Sequence, residues 1–195
     1  MKIKPVQKKI TVELKGSDDR LLQKSAAAAR AATPSFRLNK ILVPVDFSEF
    51  SAKALDYALA FADQFNARII LLHVVEPAVF PESDVLVATA LTDLNQDLLR
   101  GAKQKLDELS RQRIGERVSS EALVRLGRAH VEIAAAAGEL EADLIILATH
   151  GYTGLKHVFL GSTAERVVRH APCPVLTVRD PEHEFVERAA TPPKA

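Results

Sequence analysis

Glycine and hydroxyl residues cluster in one segment of the sequence, directly after a short apolar run at residues 144–147. The segment contains Gly151, Gly154 and Gly161, and a helical pattern begins at Ser162. Glycine lets a backbone approach an anion closely, and a helix N-terminus offers unpaired N–H groups and a partial positive charge. The segment therefore predicts a cradle for the phosphates of a nucleotide.

The glycine segment lies within a regular alternation of strand and helix patterns. Apolar runs predict strands at residues 41–45, 69–75, 118–126, 144–147 and 174–178, and helical spacing predicts helices at about 52–65, 91–109, 131–140 and 162–170. Ser48 precedes the first helix and is predicted to cap it. This alternation favours an α/β fold, an open five-stranded parallel sheet with helices on both faces, in the flavodoxin-like order 2-1-3-4-5 or a variant. The third strand is less apolar than the others, which favours the edge of the sheet.

Three segments are expected to meet at the carboxyl ends of the strands, where ligands bind in open α/β sheets. They are Asp46 after the first strand, Val74 at the end of the second, and residues 148–154 after the fourth. His150 lies within the glycine loop, and two interpretations of it are equally open. It contacts a ribose or phosphate, or it has a structural role in the loop. His73 lies in an apolar strand, so we expect a hydrogen-bonded core histidine there.

The composition restricts the class of protein. A chain of 195 residues with 47% apolar residues fits one ordinary domain of about 100 to 200 residues with extensions. No apolar run approaches the roughly 18 residues of a membrane span, and no apolar stretch follows the first lysines as in a secretory signal. Cys173 is the single cysteine, which excludes an internal disulfide. The sequence therefore predicts a soluble, cytoplasmic protein with no membrane partner.

Positive charge is concentrated at the start of the chain. Residues 1–40 carry ten Lys or Arg against three acidic residues, a net charge of +7, whereas the remaining residues carry −6. Such an extension is either an arm for nucleic acid, a membrane or a partner, or a solvated leader, and we favour the leader. We predict a basic extension at 1–38, one α/β domain at 39–180 and a polar tail at 181–195. Nucleic-acid binding is not expected.

Three short motifs, in this order and spacing, resemble one known family. They are VPVDFS at residues 43–48, LHV at 72–74, and ATHG at 148–151, followed after nine intervening residues by Gly161-Ser162. Together they resemble the universal stress protein family over about residues 38 to 180. The resemblance implies a Rossmann-like sheet in the order 3-2-1-4-5, and a homodimer formed through the last strand, Pro174 to Val178. It also implies ATP binding, with or without Mg²⁺, in the branch that carries the motif G-x2-G-x9-G-[S/T].

The resemblance also implies which residues contact the nucleotide. They are Asp46, Val74, Gly151, Gly161, Ser162 and Thr163. The predicted site also includes the neighbouring residues Pro44, Val45, Ala148, His150 and Gly154, and for Gly154 a role in the turn alone stays open. Asp46 would accept hydrogen bonds from the base or ribose, and Val74 would contact the base, while the glycines and hydroxyls would bind ribose and phosphates. A purely structural reading is that Asp46 supports a turn, Gly161 starts a helix and Ser162 caps it.

Ala148 stands where the family motif has its first glycine. If its methyl group entered the ligand space, overpacking of about 1 to 3 kcal/mol would weaken binding by about 5- to 150-fold. The resemblance implies a nucleotide-dependent stress-response or signalling switch. The alternative is a nucleotide-independent dimeric interaction module, which Ala148 favours. The sequence has no P-loop, no nucleophile elbow and no metal-ligand cluster. The resemblance implies at most weak ATP hydrolysis.

Overall fold

The computed structural model describes residues 37–77, 85–149, 161–179 and 186. Five strands and four α-helices alternate along these ranges. Their bounds are β1 Lys40–Pro44, α1 Glu49–Phe65, β2 Arg68–Val75, α2 Val85–Leu109, β3 Ser120–Leu126, α3 Ala129–Glu139, β4 Leu144–Ala148, α4 Ser162–His170 and β5 Val175–Val178, with a π-helical turn, Ser110–Ile114, after α2. The predicted basic extension up to residue 36, the glycine loop at 150–160 and most of the polar tail lie outside the described ranges.

All strand pairings in the sheet are parallel, and the strand order is β3-β2-β1-β4-β5. This confirms the order implied by the family resemblance, and not the flavodoxin-like order 2-1-3-4-5. It also confirms the edge position of β3. The winding direction reverses between β1 and β4, whose register joins Ile41 to Leu144 and Leu42 to Ile145 near their amino-terminal ends. A crevice is therefore expected between the carboxyl ends of these two strands.

Helices cover both faces of the sheet because the strands are apolar on both faces. Ile41, Leu42 and Val43 of β1 have no exposed surface. Ile41 and Val43 pack in a core cluster with α1 and α2, whereas Leu42 packs in a second cluster with α3 and α4. Each such side chain stabilises the fold by about 1.5 to 3 kcal/mol when it is fully buried. None of the helices in the described ranges is long and apolar enough to span a membrane.

A side-chain clamp joins the start of β1 to the start of β4. Oδ2 of Asp143 accepts hydrogen bonds from the backbone N–H of Asn39, at 2.7 Å, and from that of Lys40, at 2.9 Å. The ammonium group of Lys40 donates to the carbonyl of Leu140 at 2.9 Å. Hydrogen bonds to a charged group contribute about 1.5 to 3 kcal/mol, so this clamp helps to set the register of the two strands that flank the crevice.

Candidate functional site

A cavity of about 280 Å³ lies at the carboxyl ends of β1, β2 and β4. Its lining comes from these strand ends and from the starts of the helices that follow them: Pro44, Val45, Asp46, Ser51, Leu72, His73, Val74, Ala129, Ile133, Leu147, Ala148, Thr149, Gly161, Ser162, Thr163 and Ala164. Eight of the eleven residues predicted for the site belong to this lining. The other three, His150, Gly151 and Gly154, lie outside the described ranges.

The carboxylate of Asp46 organises the turn after β1. Its Oδ1 accepts hydrogen bonds from the backbone N–H of Ser48, at 3.0 Å, and from the Ser48 hydroxyl, at 2.6 Å. The Ser48 oxygen accepts from the N–H of Ser51, at 3.2 Å, and caps α1 as predicted. Asp46 is half-buried and lines the cavity, so the same carboxylate supports the turn and borders the ligand space. Its contact with a nucleotide stays a prediction.

His73 holds the same turn from β2. Its Nδ1 lies 2.7 Å from the carbonyl oxygen of Val45 and must carry the proton, because a carbonyl only accepts. Its ring lies against Phe47, with ring centroids 4.5 Å apart, and Phe47 has a positive φ of 63°. A positive φ costs an L-residue about 1 to 2 kcal/mol, which the ring contact helps to offset. The predicted hydrogen bond of His73 is confirmed, but the residue is half-buried at the cavity and not in the core.

Thr149 and Gly161 join the end of β4 to the start of α4. The N–H of Thr149 donates to the carbonyl of Val178 at 2.9 Å, and the carbonyl of Thr149 accepts from the N–H of Gly161 at 2.8 Å. A Cβ atom added to Gly161 would lie 2.8 Å from the Thr149 carbonyl oxygen. Gly161 has φ −62°, which any residue adopts, so this position needs glycine for close approach and not for its backbone conformation.

The N-terminus of α4 forms the polar end of the cavity. Gly161 is its N-cap and Ser162 its first residue, so the reading of Ser162 as the cap is wrong. The first intrahelical bond runs from the N–H of Glu165 to the carbonyl of Gly161, at 2.9 Å. Within the described part of the chain, the N–H groups of Ser162, Thr163 and Ala164 donate to no acceptor. Since these residues line the cavity, the positive end of the helix opens on it.

The cavity also has an apolar wall. Leu72, Ile133, Leu147 and Ala164 are buried members of the core cluster on the α3–α4 side, and the half-buried Val74 packs against that cluster. The cavity thus has an apolar wall beside a hydrogen-bonding end. Such a combination suits a ligand with a flat apolar group and an anionic group.

Ala148 contributes to the lining, but its side chain packs on the other face of the sheet from Leu147. Ala148 packs against the core cluster on the α1–α2 side, whereas Leu147 belongs to the cluster on the α3–α4 side. Successive side chains of a strand alternate between faces, which accounts for the difference. The methyl group of Ala148 is therefore directed away from the apolar wall.

The electrostatics of the cavity depend on backbone groups more than on charged side chains. Among the lining residues named above, Asp46 is the one carboxylate and His73 the one imidazole, and there is no Lys or Arg. The described residues also contain no group of three or more His, Cys, Asp or Glu that is placed to hold a metal ion. Attraction for an anion at these residues therefore comes from the start of α4 and from its hydroxyl groups.

The fold and the cavity define a doubly wound α/β protein with a ligand crevice at the point where the winding reverses. The chain belongs to the universal stress protein family, whose sequence pattern matches residues 37–179. The family resemblance drawn from the sequence motifs is thereby confirmed.

Individual members of the family align over most of this chain. Universal stress protein MJ0531 of Methanocaldococcus jannaschii is 35% identical over 150 residues, which cover 74% of this chain and 84% of the relative. The solved structure of protein MJ0577, from the same organism, is 31% identical with a TM-score of 0.66, covering 76% of this chain and all of that one. The structure of universal stress protein UspA from Lactobacillus plantarum is 28% identical with a TM-score of 0.65, covering 74% of this chain and all of that one.

Proposed function

We propose that this universal stress protein binds an adenine nucleotide, with ATP as its ligand, and acts as a nucleotide-dependent stress-response or signalling switch in the cytoplasm. The observation that carries the proposal is a single cavity in which Asp46, an apolar wall and the N-terminus of α4 meet. Membership of the family supports the stress-response role. The proposed task is binding and not turnover.

Each part of the cavity suits one part of the nucleotide. The Asp46 carboxylate would accept hydrogen bonds from the base or ribose, and Val74 with the apolar wall would pack against the base. The N–H groups at the start of α4, with the hydroxyls of Ser162 and Thr163, would donate to the phosphates. Mg²⁺, if it accompanies ATP, would be held mainly by phosphate oxygens, as is usual for this ion.

The size of the cavity sets how much of the ligand the described residues enclose. At about 280 Å³ it lies just below the usual range of about 300 to 1,000 Å³ for small-molecule sites. This volume suits a nucleoside with its first phosphate. The proposal therefore includes Gly151, which the family motif assigns to the phosphates, together with its loop neighbours His150 and Gly154.

Calorimetric titration of the full chain with ATP, with and without Mg²⁺, tests the proposal. We expect saturable binding, and we expect Asp46→Asn to weaken it about tenfold, because a neutral amide accepts hydrogen bonds less strongly than a carboxylate. Asp97→Asn is the matched control, since Asp97 is an exposed carboxylate paired with Arg100 on α2. The absence of saturable heat at millimolar ATP, from folded protein, refutes the proposal.

We extend the proposal to a homodimer formed through β5, which is an edge strand. The carbonyls of Pro174 and Val178 accept hydrogen bonds from the β4 side at 3.0 and 2.9 Å. Backbone direction alternates along a strand, so Val175 and Thr177 direct their N–H groups away from β4. Thr177→Pro should therefore abolish a dimer that pairs this edge, while Thr177→Val should keep it. Light scattering after size-exclusion chromatography measures the difference, and a Thr177→Pro dimer contradicts this interface.

A nucleotide-independent dimeric interaction module is the second candidate. The observation that favours it is the lack of Lys and Arg among the described lining residues, since a triphosphate usually meets cationic side chains. A dimer that binds no ATP in calorimetry, and carries no nucleotide after purification, would support this candidate against the first.

A further inference from the structure

The imidazole of His73 completes the hydrogen bonding of β1 where this strand ends. The N–H of Val45 donates to the carbonyl of Leu72 at 2.8 Å, as the last bond of the parallel ladder. The carbonyl of Val45 accepts from the side chain of His73, at 2.7 Å, in place of a further backbone donor. Val45 is 5% exposed, and a buried carbonyl requires such a donor.

Asp46 lies between two residues that His73 contacts. The preceding residue, Val45, is held by the Nδ1–H of His73, and the following residue, Phe47, is held by the imidazole ring. The Asp46 carboxylate then bonds to the N–H and hydroxyl of Ser48. One side chain of β2 therefore determines the path of the chain on both sides of the carboxylate that borders the cavity.

We infer that His73 is a positioning residue for nucleoside recognition: it holds the turn at residues 45–48 so that Asp46 faces the base or ribose of the ligand. The inference rests on the proposed nucleotide-binding function. His73 acts through Asp46 and does not bind the phosphates, which the N-terminus of α4 would hold. The effect of His73 should thus be confined to ligands that contain a nucleoside.

Two variants of His73 separate its hydrogen bond from its ring. His73→Phe keeps a ring against Phe47 but removes the Nδ1–H donor, which leaves the Val45 carbonyl without its partner. His73→Asn removes the ring but retains an N–H donor near the position of Nδ1. We expect His73→Phe to weaken ATP binding about tenfold relative to the wild type. His73→Asn, which retains a donor, should weaken ATP binding less than His73→Phe does.

A double-mutant cycle with Asp46→Asn, measured by calorimetry on the full chain, tests whether His73 acts through Asp46. In the Asp46→Asn background we expect His73→Phe to change ATP affinity by less than about twofold, since residues in one network are not additive. Inorganic tripolyphosphate, which lacks a nucleoside, should bind the His73→Phe variant as it binds the wild type. A general structural defect would instead weaken both ligands and would lower affinity equally in both backgrounds.

The outcomes distinguish this inference from the function on which it rests. A wild type that binds no ATP overturns the proposed function and the inference together. A wild type that binds ATP, combined with unchanged affinity in His73→Phe or with additive losses in the cycle, overturns the inference alone. Selective and non-additive loss of ATP binding, with tripolyphosphate unaffected, supports it.

Discussion

Replacing Gly161 with alanine tests the contact that joins β4 to α4. The new Cβ atom would lie 2.8 Å from the carbonyl oxygen of Thr149, which is closer than Cβ atoms approach in folded proteins. That oxygen belongs to the backbone and accepts the N–H of Gly161 at 2.8 Å, so it cannot rotate away. The start of α4 must therefore move by several tenths of an ångström relative to Thr149.

The expected loss of stability follows from opposing terms. Overpacking costs about 1 to 3 kcal/mol, and weakening of the Gly161 hydrogen bond adds about 0.5 to 1.5 kcal/mol. Alanine restricts the unfolded chain, which stabilises by about 0.4 to 1 kcal/mol because φ −62° suits it. The net loss is about 1 to 3 kcal/mol, or a decrease in Tm of about 3 to 10 °C for a domain of this size.

The matched control is Gly101→Ala in α2, where a Cβ atom meets nothing within 4 Å. Alanine in a helix interior is more stable than glycine by about 0.5 to 1 kcal/mol, so this variant should melt at a higher temperature. Calorimetric melting gives both Tm values, and titration with ATP should show about tenfold weaker binding for Gly161→Ala alone. A Gly161→Ala protein as stable as the wild type, with unchanged affinity, would refute the steric argument.

Three further changes test the clamp, the departure from the family motif and the thiol. Asp143→Ala should lower the free energy of unfolding by about 1.5 to 3 kcal/mol in urea titrations, because the N–H groups of Asn39 and Lys40 lose their acceptor. An unchanged urea midpoint would contradict the role of the clamp. Ala148→Gly should raise ATP affinity by less than about fivefold, since the methyl group of Ala148 is directed to the α1–α2 side. A larger gain in affinity would mean that this methyl group occupies ligand space. Burial, and then the negative charge of Asp143, raise the pKa of the Cys173 thiol. Iodoacetamide should therefore modify this thiol at higher pH in the folded protein than in urea, as measured by mass spectrometry. Equal pH profiles in the two states would exclude the shift.

Local patterns in the sequence were sufficient to predict most elements of the fold. The helix predicted at 162–170 and the Ser48 cap are observed as predicted, because both depend on neighbours within a few residues. Strand ends differ by one or two residues, as for β3, which begins at Ser120 and not at 118. Pairing between distant strands has no such local signature, so the strand order came from the family resemblance and not from periodicity.

The sequence predicted eight of the residues that line the cavity, but not how they act. The apolar runs and the glycine and hydroxyl residues identified Asp46 and the start of α4, because strand ends in a parallel sheet converge on one edge. The roles of Gly161, Ala148 and His73 depend on distances between segments that are far apart in the chain. Gly161 is needed for its approach to the Thr149 carbonyl, the Ala148 methyl packs on the α1–α2 side, and His73 bonds to the end of a neighbouring strand.

The sequence by itself determined which segments form strands and helices, which residues are apolar enough to be buried, and which family the chain resembles. The tertiary structure alone decided which atoms meet at the cavity. The physical reason is that burial and helix periodicity are properties of neighbouring residues, whereas contacts around Gly161 and His73 depend on the register of parallel strands and the placement of helices across the sheet.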